Sequence, residues 1–223
     1  MIFFDIDGTL LDFKRAEFLG VRSVYAKYGE RFIMNESRFY AAWCAIGKKH
    51  FAKYLRGQTT FEQQKMDRVK EVFGLEGVGD AEARAVFQAY LSGFEDNWAA
   101  YDDVLPCLRQ LRGQRLGILS NGDGTQQKAK LQRMGIDQYF YIQIISGEIG
   151  FSRPGVEIFW AAAEQAGELP RDCVYVGDDL YTDILPCGQA GMKGIWLKRD
   201  ASGSAGQNDV AMIRSLRELA AHL

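Results

Sequence analysis

The feature that most constrains the fold is a change of rhythm near residue 100. From there onward, segments with apolar residues at helical spacing alternate with short, continuously apolar runs such as RLGILS and CVYVGD. This alternation is typical of a parallel sheet that is covered by helices on both faces. Because right-handed crossovers connect parallel strands, we expect the C-terminal ends of all strands at one edge of the sheet.

A second texture fills the region from about residue 15 to 95. Apolar and aromatic residues recur there at helical spacing, and no strand-like run intervenes, so we expect a bundle of about four helices. The last segment, DVAMIRSLRELAAHL, is expected to be a further helix. The sequence therefore predicts an α/β protein, with a Rossmann-like parallel sheet from residues 1–14 and 96–223 and an inserted α-helical domain at 15–95.

Composition excludes several classes of partner. The 223 residues carry 27 basic and 29 acidic side chains, so there is no basic excess for binding nucleic acid. No apolar run is long enough to span a membrane. The four cysteines form no CxxC pair and no charged leader precedes the first apolar run, so we expect reduced thiols and a cytoplasmic location. The sequence leaves open whether the chain is a monomer or a homodimer.

Polar side chains follow the predicted strands at the points where the strands end. The chain opens with MIFFDIDGTLLDF, in which an apolar run delivers Asp5 and Asp7. Ligands of open α/β sheets bind beyond the edge formed by the strand C-termini. The other residues expected at this edge are Ser120 at the end of GILS, Asn121 and Gly122 directly after it, Arg153 before Pro154, Asp178 and Asp179 after VYVG, and Asp183.

These residue types together indicate a metal and a phosphate. Carboxylates that are gathered at one place repel one another unless a cation neutralises them, and Mg²⁺ prefers oxygen ligands. A hydroxyl group, backbone amides at helix starts and a guanidinium group are the donors that bind phosphate. The sequence therefore predicts a Mg²⁺ site that faces a phosphate group.

In this order, the segments DIDGTLLD, SNG, the Arg-Pro element and VGDDLYTD resemble the four motifs of the haloacid dehalogenase superfamily. The resemblance covers nearly the whole chain, and it implies a hydrolase of the phosphatase branch whose helical insert is a cap domain. Dehalogenases of the superfamily are disfavoured because they lack the second aspartate at the position of Asp7.

The resemblance also implies roles for the residues. Asp5 would be the nucleophile that forms an aspartyl-phosphate, and Asp7 would be the general acid and base. Thr9 and Ser120 would bind phosphate oxygens, and the adjoining Asn121 and Gly122 complete the predicted phosphate site. The metal would be held by Asp5, by the backbone carbonyl of Asp7 and by Asp178, with Asp179 and Asp183 in support.

The third motif departs from the family pattern. Members usually place a lysine before its proline, whereas this chain has Arg153. The positive charge is kept, so we assign Arg153 to catalysis, but its planar fork differs from a compact ammonium group.

The insert bears on the substrate. The pattern Tyr54, Gly57, Thr60, Arg68 is similar to caps in the small nucleotidases and the acylneuraminate phosphatase of this superfamily. We therefore expect a phosphatase for a small phosphorylated metabolite, either a nucleoside monophosphate or a sugar phosphate. Two alternatives stay open: a phosphosugar mutase on the same fold, and a non-catalytic binding or regulatory module.

Overall fold

The computed structural model describes residues 1–74, 78–200 and 210–223. Contacts between Cα atoms divide the chain into two compact units. One unit is formed by Met1–Asp12 together with Ala99–Leu223, and the other by Phe13–Trp98. The chain thus leaves the first unit soon after its opening strand and returns to it after the helical insert.

A six-stranded sheet runs through the described part of the first unit, and all its neighbouring strands are parallel. Its strands are Ile2–Phe4 (β1), Leu116–Ser120 (β2), Ile142–Ile145 (β3), Val174–Gly177 (β4), Lys193–Leu197 (β5) and Ala211–Ile213 (β6). Their order is β3-β2-β1-β4-β5-β6. The predicted α/β fold is confirmed, and the order of the strands is that of a Rossmann fold.

The second unit is a helical bundle. Among the described residues its α-helices are Phe13–Tyr28 (α1), Glu36–Leu55 (α2), Phe61–Phe73 (α3) and Asp80–Glu95 (α4). Aromatic side chains form much of its core: the ring centroid of Trp43 lies 5.9 Å from that of Phe39 and 5.0 Å from that of Tyr90. Trp43 and Phe39 are fully buried, so the helical spacing of these residues in the sequence reflects packing.

The sequence pattern that ends at Arg68 has a structural explanation in this unit. Gly57 has a φ of +68°, a left-handed conformation that favours glycine. The hydroxyl of Thr60 accepts a hydrogen bond from the backbone N–H of Gln63 at 3.0 Å and caps α3. The guanidinium group of Arg68 is buried 4.6 Å from the ring of Trp43. The pattern thus specifies how α2 turns into α3 and how α3 packs.

Five further α-helices in the described residues belong to the first unit: Val104–Gln110 (α5), Gly124–Arg133 (α6), Ser146–Ile149 (α7), Glu157–Ala166 (α8) and Leu185–Gln189 (α9). Helix α8 shows how they cover the sheet. Its buried residues Ile158, Phe159 and Ala162 recur at helical spacing and pack in one cluster with Phe3 and Tyr175 of the sheet.

The strand register brings the polar residues of three strands to one level. Phe4 of β1 pairs with Ile118 of β2 and with Val176 of β4, so these strands end side by side. The strand order reverses between β1 and β4, which is the place where open α/β sheets bind ligands. Asp5 and Gly177 follow the paired residues at that edge.

The C-terminal segment differs from the expected helix. Its described part contains strand β6, which pairs with β5, and a 3₁₀-helix at Leu216–His222. Ser215 caps that helix in a capping box with Glu218. Pairing with β5 satisfies the backbone of an edge segment whose pattern also suits a helix, so tertiary contacts decide its conformation. Residues 201–209 lie outside the described residues.

None of the helices in the described ranges combines the length and the apolar character that crossing a bilayer requires. The four cysteines are free thiols, and Cys107, Cys173 and Cys187 are buried.

Candidate active site

The loop after β1 is a tight turn that comes against Asp178. The backbone N–H groups of Leu10 and Leu11 donate to the carbonyl of Ile6 at 2.9 and 2.8 Å. Gly8, inside this turn, has a φ of +87°, and a Cβ atom on it would overlap the carboxylate of Asp178. Glycine therefore meets two requirements here, a left-handed backbone and a close approach to the end of β4.

Asp5 lies at the centre of the site and is only 3% exposed. Its backbone N–H donates to the carbonyl of Val176 at 3.0 Å, which fixes it between β1 and β4. Its Oδ1 accepts hydrogen bonds from the Ser120 hydroxyl at 2.9 Å and from Nη2 of Arg153 at 2.7 Å. Two side chains that are far apart in the sequence, those of Ser120 and Arg153, therefore converge on one carboxylate.

Arg153 bridges two of the predicted aspartates. While Nη2 contacts Asp5, Nη1 donates to Oδ1 of Asp183 and to the hydroxyl of Tyr175. The Tyr175 hydroxyl donates in turn to the carbonyl of Leu119 at 3.2 Å. Burial opposes the charge of the guanidinium, but the carboxylates of Asp183 and Asp5 hold the pKa of Arg153 well above its usual value. The site thus contains a fixed, buried positive charge.

The segment after β2 holds the backbone of Arg153 in place. The side-chain amide of Asn121 donates to the carbonyl of Arg153, and its Oδ1 accepts from the N–H of Arg153, both at 3.0 Å. The N–H of Gly122 donates to the hydroxyl of Ser146 at 2.9 Å. Asn121 and Gly122 therefore lie beside the site, and these groups fasten neighbouring segments to one another.

Thr9 has a buried hydroxyl that is left without a partner. Its side chain is fully buried, and Oγ1 has no hydrogen-bond partner among the described residues. An unsatisfied buried hydroxyl costs about 1–3 kcal/mol, so a ligand oxygen at this position would be favourable. The carbonyl of Thr9 accepts from Nη2 of Arg199 at 2.8 Å, which anchors this part of the loop.

An acidic cluster forms beside Asp5. Carboxylate oxygens of Asp5, Asp178 and Asp183 all lie within 4.8 Å of one another. Burial is the main cause that raises the pKa of Asp5 and raises that of Asp183 to about 7. The pKa of Asp178 is also raised, first by loss of hydration and then by the charges of Asp5 and Asp183, although its side chain still reaches solvent. A cation in this cluster would relieve the repulsion, so the donor set fits a divalent metal.

Asp179 and Asp183 hold the end of β4. The side chain of Asp179 accepts from the backbone N–H groups of Tyr181 and Thr182 at 2.8 and 2.7 Å, and caps a π-helical turn at Leu180–Ile184. The N–H of Asp179 donates to Oδ2 of Asp183 at 3.2 Å. Asp183 is therefore part of the acidic cluster, whereas the side chain of Asp179 orders the adjoining backbone.

The carboxylate of Asp7 lies outside the acidic cluster and has a cation of its own. The ammonium group of Lys130 is 2.7 Å from its Oδ1 and 2.8 Å from its Oδ2. The side-chain amide of Gln127 donates to Oδ2 at 3.3 Å, to the Ser120 hydroxyl at 2.9 Å and to the carbonyl of Asn121 at 3.0 Å. Asp5 and Asp7 thus have different ionic partners, Arg153 for Asp5 and Lys130 for Asp7.

Sequence reasoning missed Lys130 and Gln127. Both lie on the buried face of α6, together with Gly124 and Leu131. A glutamine and a lysine at positions where the helical period calls for apolar residues are the signal that could have found them.

Comparison with known proteins identifies a family for the chain. The chain matches the haloacid dehalogenase-like hydrolase family over residues 1–191. It belongs to this family of hydrolases.

Individual relatives extend the likeness. The chain is 29% identical over 224 residues to the pyrimidine 5'-nucleotidase YjjG of Escherichia coli, with 98% of this chain and 96% of that protein covered. It is 38% identical over 125 residues to a glyceraldehyde 3-phosphate phosphatase of Methanopyrus kandleri, which is 54% of each chain. The structure of the HAD-hydrolase YfnB from Bacillus subtilis shares the fold with a TM-score of 0.80 and 24% identity, over 99% of this chain and 96% of that one.

Proposed function

We propose that this chain is a magnesium-dependent phosphatase that hydrolyses a small phosphorylated metabolite through an aspartyl-phosphate on Asp5. The observation that carries the proposal is the convergence of Ser120 and Arg153 on Asp5, beside two further carboxylates at the C-terminal edge of the sheet. The names of the relatives, a nucleotidase and a phosphatase, support the same reaction class.

Asp5 and Asp7 divide the chemistry between them. In the first step, an oxygen of Asp5 forms a bond to phosphorus while the bond from phosphorus to the leaving oxygen breaks, and protonated Asp7 gives its proton to that oxygen. In the second step, water attacks phosphorus, its proton passes to Asp7, and the bond between Asp5 and phosphorus breaks. Two displacements with a covalent intermediate replace one difficult displacement.

The charges of the site suit this reaction. Ionised Asp5, Asp178 and Asp183 carry three negative charges, and the positive charge of Arg153 compensates one of them. Two negative charges remain, which one divalent cation balances. Asp5, Asp178 and Asp183 would hold Mg²⁺, together with the backbone carbonyl of Asp7 that the family resemblance implies. Bound there, the ion would reduce the repulsion between the nucleophile and the phosphate.

The hydroxyl groups of Thr9 and Ser120 are the proposed ligands of the phosphate oxygens. Thr9 offers a buried hydroxyl without a partner in the described structure, and the Ser120 hydroxyl is in contact with Asp5. We assign selection of the leaving group to the helical unit Phe13–Trp98 as a cap domain. A nucleoside monophosphate or a sugar phosphate is the proposed substrate class, and the free thiols agree with a reducing compartment such as the cytoplasm.

The test is release of inorganic phosphate from a panel of nucleoside monophosphates, sugar phosphates and p-nitrophenyl phosphate. We expect release with Mg²⁺, its loss after chelation, and its return when Mg²⁺ is added back. Asp5→Asn should abolish turnover with the fold intact, because an amide is a poor nucleophile. Circular dichroism of this variant provides the control for folding.

Four outcomes would contradict the proposal. Full activity after exhaustive chelation would refute the requirement for a metal, and wild-type rates in Asp5→Asn would refute the role of Asp5 as the nucleophile. Transfer of the phosphoryl group within a bisphosphate-activated sugar, without free phosphate, would identify a mutase. Absence of turnover on the entire panel would favour a binding module.

A further inference from the structure

A lysine inside the α/β unit is the least expected side chain of the site. Lys130 is only 2% exposed, although lysine is rarely buried unless it is paired. Its ammonium group contacts both oxygens of the Asp7 carboxylate, at 2.7 and 2.8 Å. Asp7 itself is partly exposed, with 28% of its side chain accessible. Lys130 is thus almost fully buried, although the carboxylate of Asp7 that it contacts is partly accessible to solvent.

Gln127 strengthens the arrangement from the same helix. It lies three residues before Lys130, so both side chains leave the same face of α6. Its amide nitrogen contacts Oδ2 of Asp7 and also the Ser120 hydroxyl, which in turn donates to Asp5. One helix face therefore connects Asp7 with the nucleophile's own hydrogen-bond partner.

We propose that Lys130 and Gln127 are positioning residues that fix the orientation in which Asp7 exchanges a proton with the reacting oxygen. The inference rests on the proposed function, since it gives Asp7 the role of acid and base. An aspartate on a partly exposed turn has several rotamers, and only a carboxylate within hydrogen-bond reach of the leaving oxygen can transfer a proton. Contacts to both oxygens select one rotamer.

Lys130→Met is the perturbation that separates this role from a structural one. Methionine is unbranched and fills a similar volume, so the buried stem is replaced without a cavity. The Asp7 carboxylate, which is partly exposed, can be hydrated when it loses the ammonium group. We expect a folded protein in which Asp7 has lost its fixed orientation.

The readout is the dependence of kcat/KM on the leaving group, because kcat/KM reports the first step. Nitrophenolate leaves without a proton, whereas the alkoxide of a sugar or nucleoside phosphate needs one. Misplacing a reacting group by about 1 Å can cost about 10²-fold in rate, so we expect a loss of that order for the best alkyl phosphate of the panel. General acid catalysis contributes about 10²-fold or more in rate, and p-nitrophenyl phosphate does not depend on this contribution. The loss of kcat/KM for p-nitrophenyl phosphate should therefore be at least about tenfold smaller than the loss for the alkyl phosphate.

A matched control and a double variant sharpen the test. Lys128 is a lysine on the same helix that pairs with Glu148 at the surface, so Lys128→Met should keep wild-type kinetics for both substrates. Asp7→Asn removes the carboxylate that Lys130 contacts. If Lys130 acts through Asp7, adding Lys130→Met to Asp7→Asn should lower kcat/KM by less than about a factor of three. If the two residues acted independently, the double variant would show the full loss of both single variants.

The outcomes distinguish this inference from the proposed function. If wild-type protein releases phosphate and Lys130→Met lowers kcat/KM equally for both substrates, or adds its full effect to Asp7→Asn, Lys130 does not act through Asp7. If wild-type protein hydrolyses no phosphate ester, the proposed function itself fails. Should Lys130→Met not fold, Lys130→Gln keeps a polar end and is measured with the same pair of substrates.

Discussion

Replacing Arg153 by alanine is expected to damage both stability and turnover, because two buried carboxylates depend on it. Asp5 and Asp183 are 3% and 2% exposed, and each accepts a hydrogen bond from a different nitrogen of the Arg153 fork. Breaking a buried ion pair by removing one partner costs about 3–5 kcal/mol, because a buried charge is left without compensation. The alanine variant should lose stability in that range at neutral pH.

The deficit should depend on pH, with a sign that follows from the carboxylates. Burial already raises the pKa values of Asp5 and Asp183, and Arg153 opposes this effect. Without Arg153, both pKa values rise further, so the folded variant binds protons more tightly than the unfolded chain. Protonation then relieves the unpaired charge, and the stability difference from wild type should shrink as the pH falls from 8 to 5.

The effect on turnover has a separate origin. Arg153 is a fixed cation in contact with the proposed nucleophile, and removing one preorganised charge partner typically costs about 10²–10³ in rate. Arg153→Lys is the matched control. It keeps the charge, but one ammonium group cannot reproduce the forked contacts to Asp5, Asp183 and Tyr175. We expect its stability and its rate to lie between those of wild type and Arg153→Ala.

Urea unfolding at pH 5 and pH 8, and phosphate release at saturating substrate, measure these effects. An alanine variant that loses less than about 1 kcal/mol would refute the argument from buried pairing, which predicts about 3–5 kcal/mol. One that keeps more than about a tenth of wild-type turnover would refute the catalytic role, against the expected loss of about 10².

Two further substitutions test the framework around the site. Gly8→Ala should lower stability by about 1–3 kcal/mol because alanine is strained at the positive φ of this position, and it should also lower turnover because its Cβ atom would displace Asp178. Gly113→Ala is the control: its φ is +95° with open space around it, so this variant should lose stability in unfolding assays but keep turnover. Arg199→Met should cost about 3–5 kcal/mol at neutral pH, because the buried Asp103 loses its cationic partner and the two hydrogen bonds of 2.9 and 3.0 Å that Arg199 donates. Burial alone would raise the pKa of Asp103, but Arg199 and the other hydrogen-bond donors of Asp103 lower it. The loss of stability in Arg199→Met should therefore shrink when unfolding is repeated in acid. An equal loss at every pH would contradict the pairing.

Local patterns are reliable in this chain where they concern single elements. The apolar runs that end at Phe4, Ser120 and Gly177 are strands, and the alternation with helices predicts their parallel pairing. Because parallel strands end at one edge, the order of elements predicts that Asp5 and Ser120 lie at the same edge, and the pairing of β1 with β2 brings them into contact. The expectation was wrong for the C-terminal segment, where pairing of β6 with β5 outweighs a helical pattern.

Most of the polar groups at the edge of the sheet could be predicted from local patterns, because each of them follows its own strand or begins its own helix within a few residues. Which charges pair could not be predicted in this way, because it depends on tertiary packing. Arg153 binds Asp5, 148 positions away, and Lys130 binds Asp7, 123 positions away. Ion pairs and hydrogen bonds require atoms within about 3 Å, and such distances between remote segments depend on strand register and helix packing, which no local pattern records.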